Sequence, residues 1–255
     1  MKKIIYSFFL IILVLITFSI VYLSTIGVET SKFNNLIINE IKKKNTDFEI
    51  SLSKIQIKFD LKKIQVYLST VEPKIVYRDV KIPIKQINIY SKISSIIRSK
   101  NEISQATISL QNFNTTEIQK LAVRIKPSNF KKYLLNNLNN GKIEKILLDL
   151  KFNKDLKITD YKINGSIKKI NIKLSDDFSI HNVNLNFISD KNLTLINSIS
   201  ASYQGISISN GSLSIKTNKE ISIEGKLNSK FNFKKNTKNK LLSKFNLNFL
   251  EKNRI

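Results

Sequence analysis

The longest uncharged apolar stretch in the chain, residues 4–26, most constrains what the chain can fold into. It reads IIYSFFLIILVLITFSIVYLSTI and contains no charge, proline or glycine. As an α-helix it is about 34 Å long, enough to cross a hydrocarbon core of about 30 Å. The stretches after it are shorter and interrupted by polar residues, so we expect them to lie in water on one side of a membrane.

Two other interpretations of this stretch are open. A cleavable signal peptide has an apolar region of about 7–15 residues followed by a small-residue cleavage site. Here the apolar run is longer, and Leu23-Ser24-Thr25 is a poor cleavage site. A buried core helix is a weak alternative at this length. We therefore interpret residues 1–28 as an uncleaved transmembrane anchor.

The charges beside this segment predict its orientation. Lys2 and Lys3 precede it, and positive residues near a first span tend to stay in the cytoplasm. Lys42, Lys43 and Lys44 argue weakly for the opposite orientation. We expect a single-pass inner-membrane protein with a cytoplasmic N-terminus and a periplasmic bulk.

The chain is strongly basic, with a net charge of +24. A basic surface can bind nucleic acid or anionic lipid. The lysines, however, are spread singly along the chain, and isoleucine and asparagine are also abundant, which is typical of an AT-rich genome. No nucleic-acid-binding motif occurs. Codon bias is the simplest explanation, anionic lipid the second, and nucleic acid is not an expected partner.

A short amphipathic helix is predicted directly after the anchor, within residues 29–46. It runs from Thr30 to Lys44, and Thr30 or Ser31 can cap its first turn. Its apolar face is predicted to cover the open end of the following β-structure next to the membrane, or to pack on an ordinary core. The face consists of Phe33, Leu36, Ile37, Glu40 and Ile41.

From Phe48 onward the apolar period changes to two, which predicts β-strands. We divide this region into a first β segment, residues 47–140, and a β-meander, residues 141–255. Three helical insertions are expected in the first segment: Ser91–Arg98, Thr115–Ile125 and Ser128–Asn139.

The meander is predicted from short strands at regular spacing with turn residues between them. Asn210-Gly211, between Ile208 and Leu213, is typical of a two-residue hairpin turn. Leu241–Leu250 resumes alternation and would be an uncovered edge strand. We expect either that the meander continues beyond the chain end or that another chain adds on there.

These patterns together predict the fold class. It is mainly β, with an N-terminal transmembrane helix followed by an elongated, one-sided antiparallel β-meander, a curved sheet or groove. A few short α-helices are inserted.

Residues suited to catalysis or metal binding are sparse. His181 is the only histidine and there is no cysteine. Asp176-Asp177 would point to opposite faces of a strand and is better explained as a turn. The glycines are isolated, so no phosphate-binding loop is present. We expect no enzyme activity, no catalytic residues, no metal and no cofactor.

The most informative stretch for a family resemblance covers residues 141–152 and 158–173. Tyr161, Ile163 and Gly165 form a Tyr-x-Ile-x-Gly step before a run of alternating apolar residues. With the anchor and the helix after it, this pattern resembles the AsmA-like family of bacterial envelope proteins, the AsmA, TamB and YhdP type. The resemblance covers most of the chain in pattern, although family members are usually far longer.

The resemblance implies an apolar groove that carries phospholipid between the envelope membranes, or a role in outer-membrane maintenance. A meander with one apolar face must cover that face, and acyl chains would serve. The candidate groove lining is Ile146, Leu148, Leu150, Phe152, Ile170, Ile172, Val183, Leu185, Phe187, Leu213, Ile215, Ile221 and Ile223.

The alternative is a membrane-anchored periplasmic β scaffold that conducts no lipid. Its apolar residues would pack sheet on sheet. It would recruit envelope partners by strand addition at the C-terminal edge strand.

Overall fold

A computed structural model describes residues 2–32, 34–44, 46–92, 103–124, 132, 135–175, 178–204, 206–217 and 220–231. Its first element, helix α1, spans Lys2–Thr25. The most apolar 18-residue window within residues 3–25 has a mean hydropathy of 2.9 and none of it is buried, so this helix is long and apolar enough to cross a membrane.

The remaining described chain is mostly β. Two further helices are α2 (Asn34–Lys44) and α3 (Thr115–Arg124). The strands are β1 (Val28–Thr30), β2 (Phe48–Ser51), β3 (Ile55–Asp60), β4 (Gln65–Thr70), β5 (Lys74–Tyr77), β6 (Val80–Ile82), β7 (Ile84–Lys92), β8 (Ile103–Asn114), β9 (Leu138–Asn139), β10 (Lys142–Phe152), β11 (Ile158–Ser175), β12 (Phe178–Ser189), β13 (Leu193–Tyr203), β14 (Ile206–Thr217) and β15 (Ile221–Phe231).

Twelve strands form one large sheet in the order β1-β3-β4-β7-β8-β10-β11-β12-β13-β14-β15, with β9 also paired to β11. Where the register is resolved the pairs are antiparallel, as between β13 and β14 or β14 and β15. Within the described residues β1 and β15 do not pair with each other, so the sheet is open and not a barrel. The predicted fold class is confirmed: a large antiparallel sheet, few short helices and an N-terminal apolar helix.

Strands β2, β5 and β6 form a second, smaller sheet. The phase shift that the sequence shows at Ser53-Lys54 marks the point where the chain passes from this sheet into β3 of the large one. Arg78 forms an ion pair of 2.8 Å with Asp47 beside this small sheet. The small sheet and the first strands of the large sheet therefore account for the early strands that the period-two pattern predicts.

Helix α2 begins later than its sequence pattern predicts. Val28–Thr30 forms strand β1 against β3, and the helix starts at Asn34. The buried Asn34 side chain donates hydrogen bonds to the carbonyls of Leu52 (2.9 Å) and Ser53 (3.0 Å), which fixes the first turn. Pairing with β3 satisfies the backbone of Val28–Thr30 better than an extra helical turn would. Phe33 and the side chains of Leu36 and Glu40 lie outside the described part.

Of the other predicted helices, Thr115–Ile125 is confirmed as α3 from Thr115 to Arg124, and Ile125 lies outside the described residues. Most of Ser91–Arg98 lies outside the described residues, and its first two residues belong to β7. Much of Ser128–Asn139 also lies outside. Of its described residues, 132 and 135–137 are helical, whereas Leu138–Asn139 is strand β9, which pairs with β11 and puts Leu138 opposite Ile172.

The described chain divides into two compact units that interleave in sequence. The first unit comprises residues 1–111 and 146–163, and the second comprises residues 112–145 and 164–255. They are described separately below. The division at residue 141 made from the sequence stays a prediction.

The Asn210-Gly211 hairpin prediction is wrong. Both residues lie inside β14, which continues to Thr217, and Gly211 pairs with Ile199 of β13. Asn210 has a φ of 52°. An αL residue inside a strand produces a β-bulge, whereas a hairpin would need two such residues between separate strands. Likewise, Leu193–Tyr203 forms one continuous strand, β13, through the polar pair Asn197-Ser198.

Candidate functional site: the apolar sheet face

In the second unit, the cross-strand register puts the predicted lining residues on one face of the sheet. Residues directly opposite each other in an antiparallel pair share a face. Phe187 lies opposite Ile196, and Ile196 lies opposite Leu213. In the next row, Ile215 lies opposite Ile223. These rows define the apolar face of the second unit.

The remaining predicted residues of this unit belong to the same face. By strand alternation, Val183 and Leu185 share it with Phe187, and Ile221 shares it with Ile223. On β11 the Asn171 side chain accepts a hydrogen bond from the backbone N–H of Asn182 on the polar side, so Ile170 and Ile172 lie on the apolar side. All nine lining residues predicted in this unit are therefore brought to one face.

The apolar face is only partly covered. Ile170 and Val183 are buried, with 3% and 5% of their surface exposed. Ile172, Leu185, Phe187, Leu213 and Ile215 are half-buried. Ile221 and Ile223 on β15 are 75% and 63% exposed. The face thus ends in open apolar surface at β15.

The sequence analysis missed several residues of this face. Ile196 and Ile199 lie on it through their partners Leu213 and Gly211. The rings of Phe178 and Tyr203 pack on each other there, with centroids 4.4 Å apart. Leu227 also lies on this face, because its Cδ2 atom is 2.6 Å from the place where a Cβ on Gly211 would be. The missed signal is an apolar spacing of three residues in place of two.

That spacing of three recurs on four neighbouring strands. Two apolar or small residues flank two polar ones, and the second polar residue has a positive φ. These αL residues are Lys169 (55°), Asn182 (52°), Ser198 (55°) and Asn210 (52°). The register shifts next to Asn182, Ser198 and Asn210, as expected for β-bulges. We call these four residues the bulge row.

The bulge row keeps the apolar face continuous. In a regular strand, residues three apart point to opposite faces. A bulge adds one residue to the strand, so two apolar residues that are three apart lie on the same face. Ile208 and Gly211 therefore both lie on the apolar side. The bulges therefore explain how one face collects the apolar side chains from both halves of each long strand.

Asparagine side chains satisfy backbone groups at the bulges. The Oδ1 atom of Asn184 accepts a hydrogen bond from the Lys169 N–H (3.0 Å), and that of Asn171 accepts one from the Asn182 N–H (3.0 Å). The Nδ2 atom of Asn184 donates to the Asn182 carbonyl (2.9 Å) and to the Ser200 hydroxyl (3.0 Å). Backbone N–H groups displaced from the ladder would otherwise lack partners.

The opposite face of the second unit is mainly polar. It carries Asn184 and Ser200, which are cross-strand neighbours, and Ser214, which lies opposite Glu224. An apolar pair, Ile188 and Leu195, is an exception on this face. The sheet of this unit is therefore asymmetric, with a mainly polar side and a strongly apolar one.

In the first unit, Asp149 identifies the polar face. Its Oδ1 atom accepts hydrogen bonds from Thr107 (2.6 Å) and Gln105 (3.1 Å) on β8. The predicted residues of β10, at alternate positions next to Asp149, lie on the opposite side of this unit's sheet. They are half-buried and consist of Ile146, Leu148, Leu150 and Phe152.

Two stacked tyrosines continue that polar face. Tyr67 on β4 lies opposite Tyr90 on β7, with ring centroids 5.0 Å apart, and the Lys63 ammonium lies 4.3 Å from the Tyr90 ring. Burial raises the pKa of the Tyr90 phenol, and Tyr67 and Asp60 raise it further. Burial also raises the pKa of Tyr67. Both phenols therefore stay neutral at ordinary pH.

The residues considered for catalysis do not assemble into a site in the described chain. His181 is exposed on β12, opposite Ser202. Within the residues that the structure describes, no group of three or more histidine, cysteine, aspartate or glutamate side chains could hold a metal ion. Asp176-Asp177 lies outside those residues.

Comparisons with family models, with curated proteins and with solved structures find no match to this chain.

Two glycines test the close packing around the bulges. Gly141 has a φ of 86°, and a Cβ there would lie 2.5 Å from the backbone oxygen of Lys169. Gly165 has room for a Cβ only if the Phe187 ring moves. We expect Gly141→Ala to lower the free energy of unfolding by roughly 2 kcal/mol or more, since rigid backbone must shift and an αL alanine is strained. Gly165→Ala should cost about 1 kcal/mol, because a side chain can turn away.

Chemical denaturation of the full chain in an uncharged detergent measures both effects, with the exposed Ser209→Ala as a matched control. Unchanged stability of Gly141→Ala would contradict the close approach of this glycine to the β11 bulge.

Proposed function

We propose that this chain is an inner-membrane-anchored periplasmic protein of the AsmA-like type that binds phospholipid acyl chains along its apolar sheet face. The observation that carries the proposal is the partly covered apolar face of the second unit, whose side chains range from buried at Ile170 and Val183 to exposed at Ile221 and Ile223. Large contiguous apolar patches on a protein surface mark interaction sites.

The chemistry of this face suits acyl chains. Its side chains are branched aliphatic residues with a few rings, and they offer no charged group for a polar ligand. Helix α1 would hold the sheet at the membrane that supplies the lipid. Burial of each methylene group of an acyl chain would contribute about 0.8 kcal/mol, so even a short covered length gives useful binding.

Conduction of lipid towards a second membrane is the further step that the resemblance implies. The apolar rows are interrupted only by uncharged hydroxyl side chains, such as Thr194 opposite Ile215 and Thr217 opposite Ile221, so an acyl chain that moves along the face would meet no charge there. The rows that end at Ile221 and Ile223 leave apolar surface open at β15, where such a path would continue.

A second function is favoured by β15 itself. All its described side chains are exposed, and in the described residues β15 pairs with β14 alone. An exposed edge strand can accept a strand from another protein. In this alternative the chain is a scaffold that recruits an envelope partner at β15, and lipid does not occupy the apolar face.

Photo-crosslinking distinguishes the two functions. A photoreactive amino acid at Phe187 or Leu213 should give phospholipid adducts in cells, whereas the same residue at Asn186 or Ser214 on the other face should not. Leu185→Lys should abolish the adduct at Phe187, because a charge next to the acyl chain carries a large desolvation cost. Export of this variant should be intact.

Mass spectrometry identifies the adducts. Equal lipid adducts on both faces would contradict the acyl-chain proposal, since they indicate bulk membrane contact. Protein adducts from Ile223 without any lipid adduct at Phe187 would favour the scaffold.

The proposed orientation gives a separate prediction. Alkaline phosphatase fused after Ile255 should be active, because the sheet would lie in the periplasm, while a fluorescent protein that folds only in the cytoplasm should stay dark. Changing Lys2 and Lys3 to Glu should scramble the orientation, since only these two charges oppose the downstream lysines. Bright fluorescence with inactive phosphatase in the unchanged chain would rule out both envelope functions.

A further inference from the structure

A polar cavity lies along the first part of the bulge row, within the second unit. Its volume is about 710 Å³, and its lining consists of five asparagines, three lysines, Glu144 and Gly141. Lys169 and Asn182 of the bulge row belong to the lining, as do Asn171 and Asn184, which hydrogen-bond to the backbone at these two bulges. Alternation places Asn171 and Asn184 on the face opposite Ile170 and Val183, so the cavity opens on the polar side of the sheet.

The walls of this cavity are held in place without a ligand. The asparagine bonds fix the β11 and β12 bulges against each other, and Gly141 packs on the Lys169 carbonyl. The Thr115 N–H donates to the Gly141 carbonyl at 3.2 Å, which ties the start of α3 to the same wall. A preformed cavity loses less conformational freedom when it binds a ligand.

The charge of the lining is positive. The lining contains three lysines, Lys142, Lys168 and Lys169, and a single carboxylate, that of Glu144. This carboxylate accepts a hydrogen bond from the Ser166 hydroxyl (3.4 Å). The Lys142 ammonium contacts Asn112 Oδ1 at 3.4 Å. Within the described residues, the ammonium groups of Lys168 and Lys169 have no hydrogen-bond or ion-pair partner. Two adjacent free cations beside amide donors attract an oxyanion.

We propose that this cavity binds the phosphate group of a small phosphate ester, with Lys168 and Lys169 as its cationic ligands. Its size falls in the usual range for small-molecule sites, about 300–1,000 Å³, and leaves room for a polyol beside the phosphate. The mainly polar lining suits a sugar or glycerol phosphate and does not suit an acyl chain. The phosphate can belong to a soluble metabolite or to a lipid headgroup, since both present the same oxyanion.

The site is distinct from the apolar face. It lies on the other side of the same sheet and uses no residue of the predicted lipid lining. The two proposals can therefore fail independently, and Leu185→Lys should leave phosphate binding unchanged.

Calorimetric titration of the full chain in an uncharged detergent tests the proposal. The probes are glycerol 3-phosphate and dihexanoyl phosphatidic acid, with glycerol as the uncharged reference. In Lys168→Gln/Lys169→Gln the affinity for both probes should fall by at least about tenfold, since two charge-assisted hydrogen bonds are lost. The control Lys226→Gln/Lys230→Gln removes the same charge from exposed positions on β15 and should bind like the unchanged chain.

Lys168→Arg/Lys169→Arg should retain binding. If circular dichroism shows that the glutamine double variant is unfolded, the affinities of Lys168→Gln and Lys230→Gln are compared instead, and only Lys168→Gln should bind more weakly. Measured in Leu185→Lys, in which the apolar face is disabled, tighter binding of the lipid probe indicates a headgroup as the ligand, and equal binding indicates a soluble ester. An equal loss of affinity in the pocket and control variants, or no binding of either phosphate probe, would overturn the proposal.

Discussion

Displacement of the strand register by one residue at each bulge is the constraint on which the second unit depends. Without the αL residues Lys169, Asn182, Ser198 and Asn210, each long strand would turn half of its apolar side chains to the polar face. Of the three residue types in the bulge row, only asparagine adopts this conformation at low cost, so Lys169 and Ser198 carry backbone strain of about 1 kcal/mol each. The asparagine bonds between β11 and β12 offset part of that strain.

One consequence is an open sheet whose two faces are suited to different ligands. In the proposed function the apolar face, with its half-buried aliphatic side chains, would take acyl chains, while a basic, polar cavity lies beside the bulges on the other face. Part of the net charge of +24 would then serve a ligand while most of it reflects composition. Helix α1 is long and apolar enough to cross a membrane.

The sequence predicts the fold class, α3 and the shared face of the nine lining residues in the second unit, because a period of two encodes a face directly. It does not predict the bulges, since a polar pair between apolar residues is equally compatible with a turn. Asn210-Gly211 was misassigned for that reason, and Ile196 and Ile199 were left out of the lining. Strand β1 was missed because three residues are too few for a period, and its pairing with β3 depends on distant contacts.

A spin-label scan of β14 tests the central claim, a continuous apolar face that contacts acyl chains, most directly. The chain has no cysteine, so a single cysteine can carry a nitroxide at each position from Ile206 to Thr217. With phospholipid present, we compare how often each nitroxide collides with oxygen and with an aqueous nickel reagent. The ratio of oxygen to nickel collisions should peak at Ile206 and Ile208, and again at Leu213 and Ile215. The alternation of high and low ratios along the strand should thus shift by one residue at Asn210. Alternation that continues without this change, or equal aqueous exposure at every position, would contradict the account.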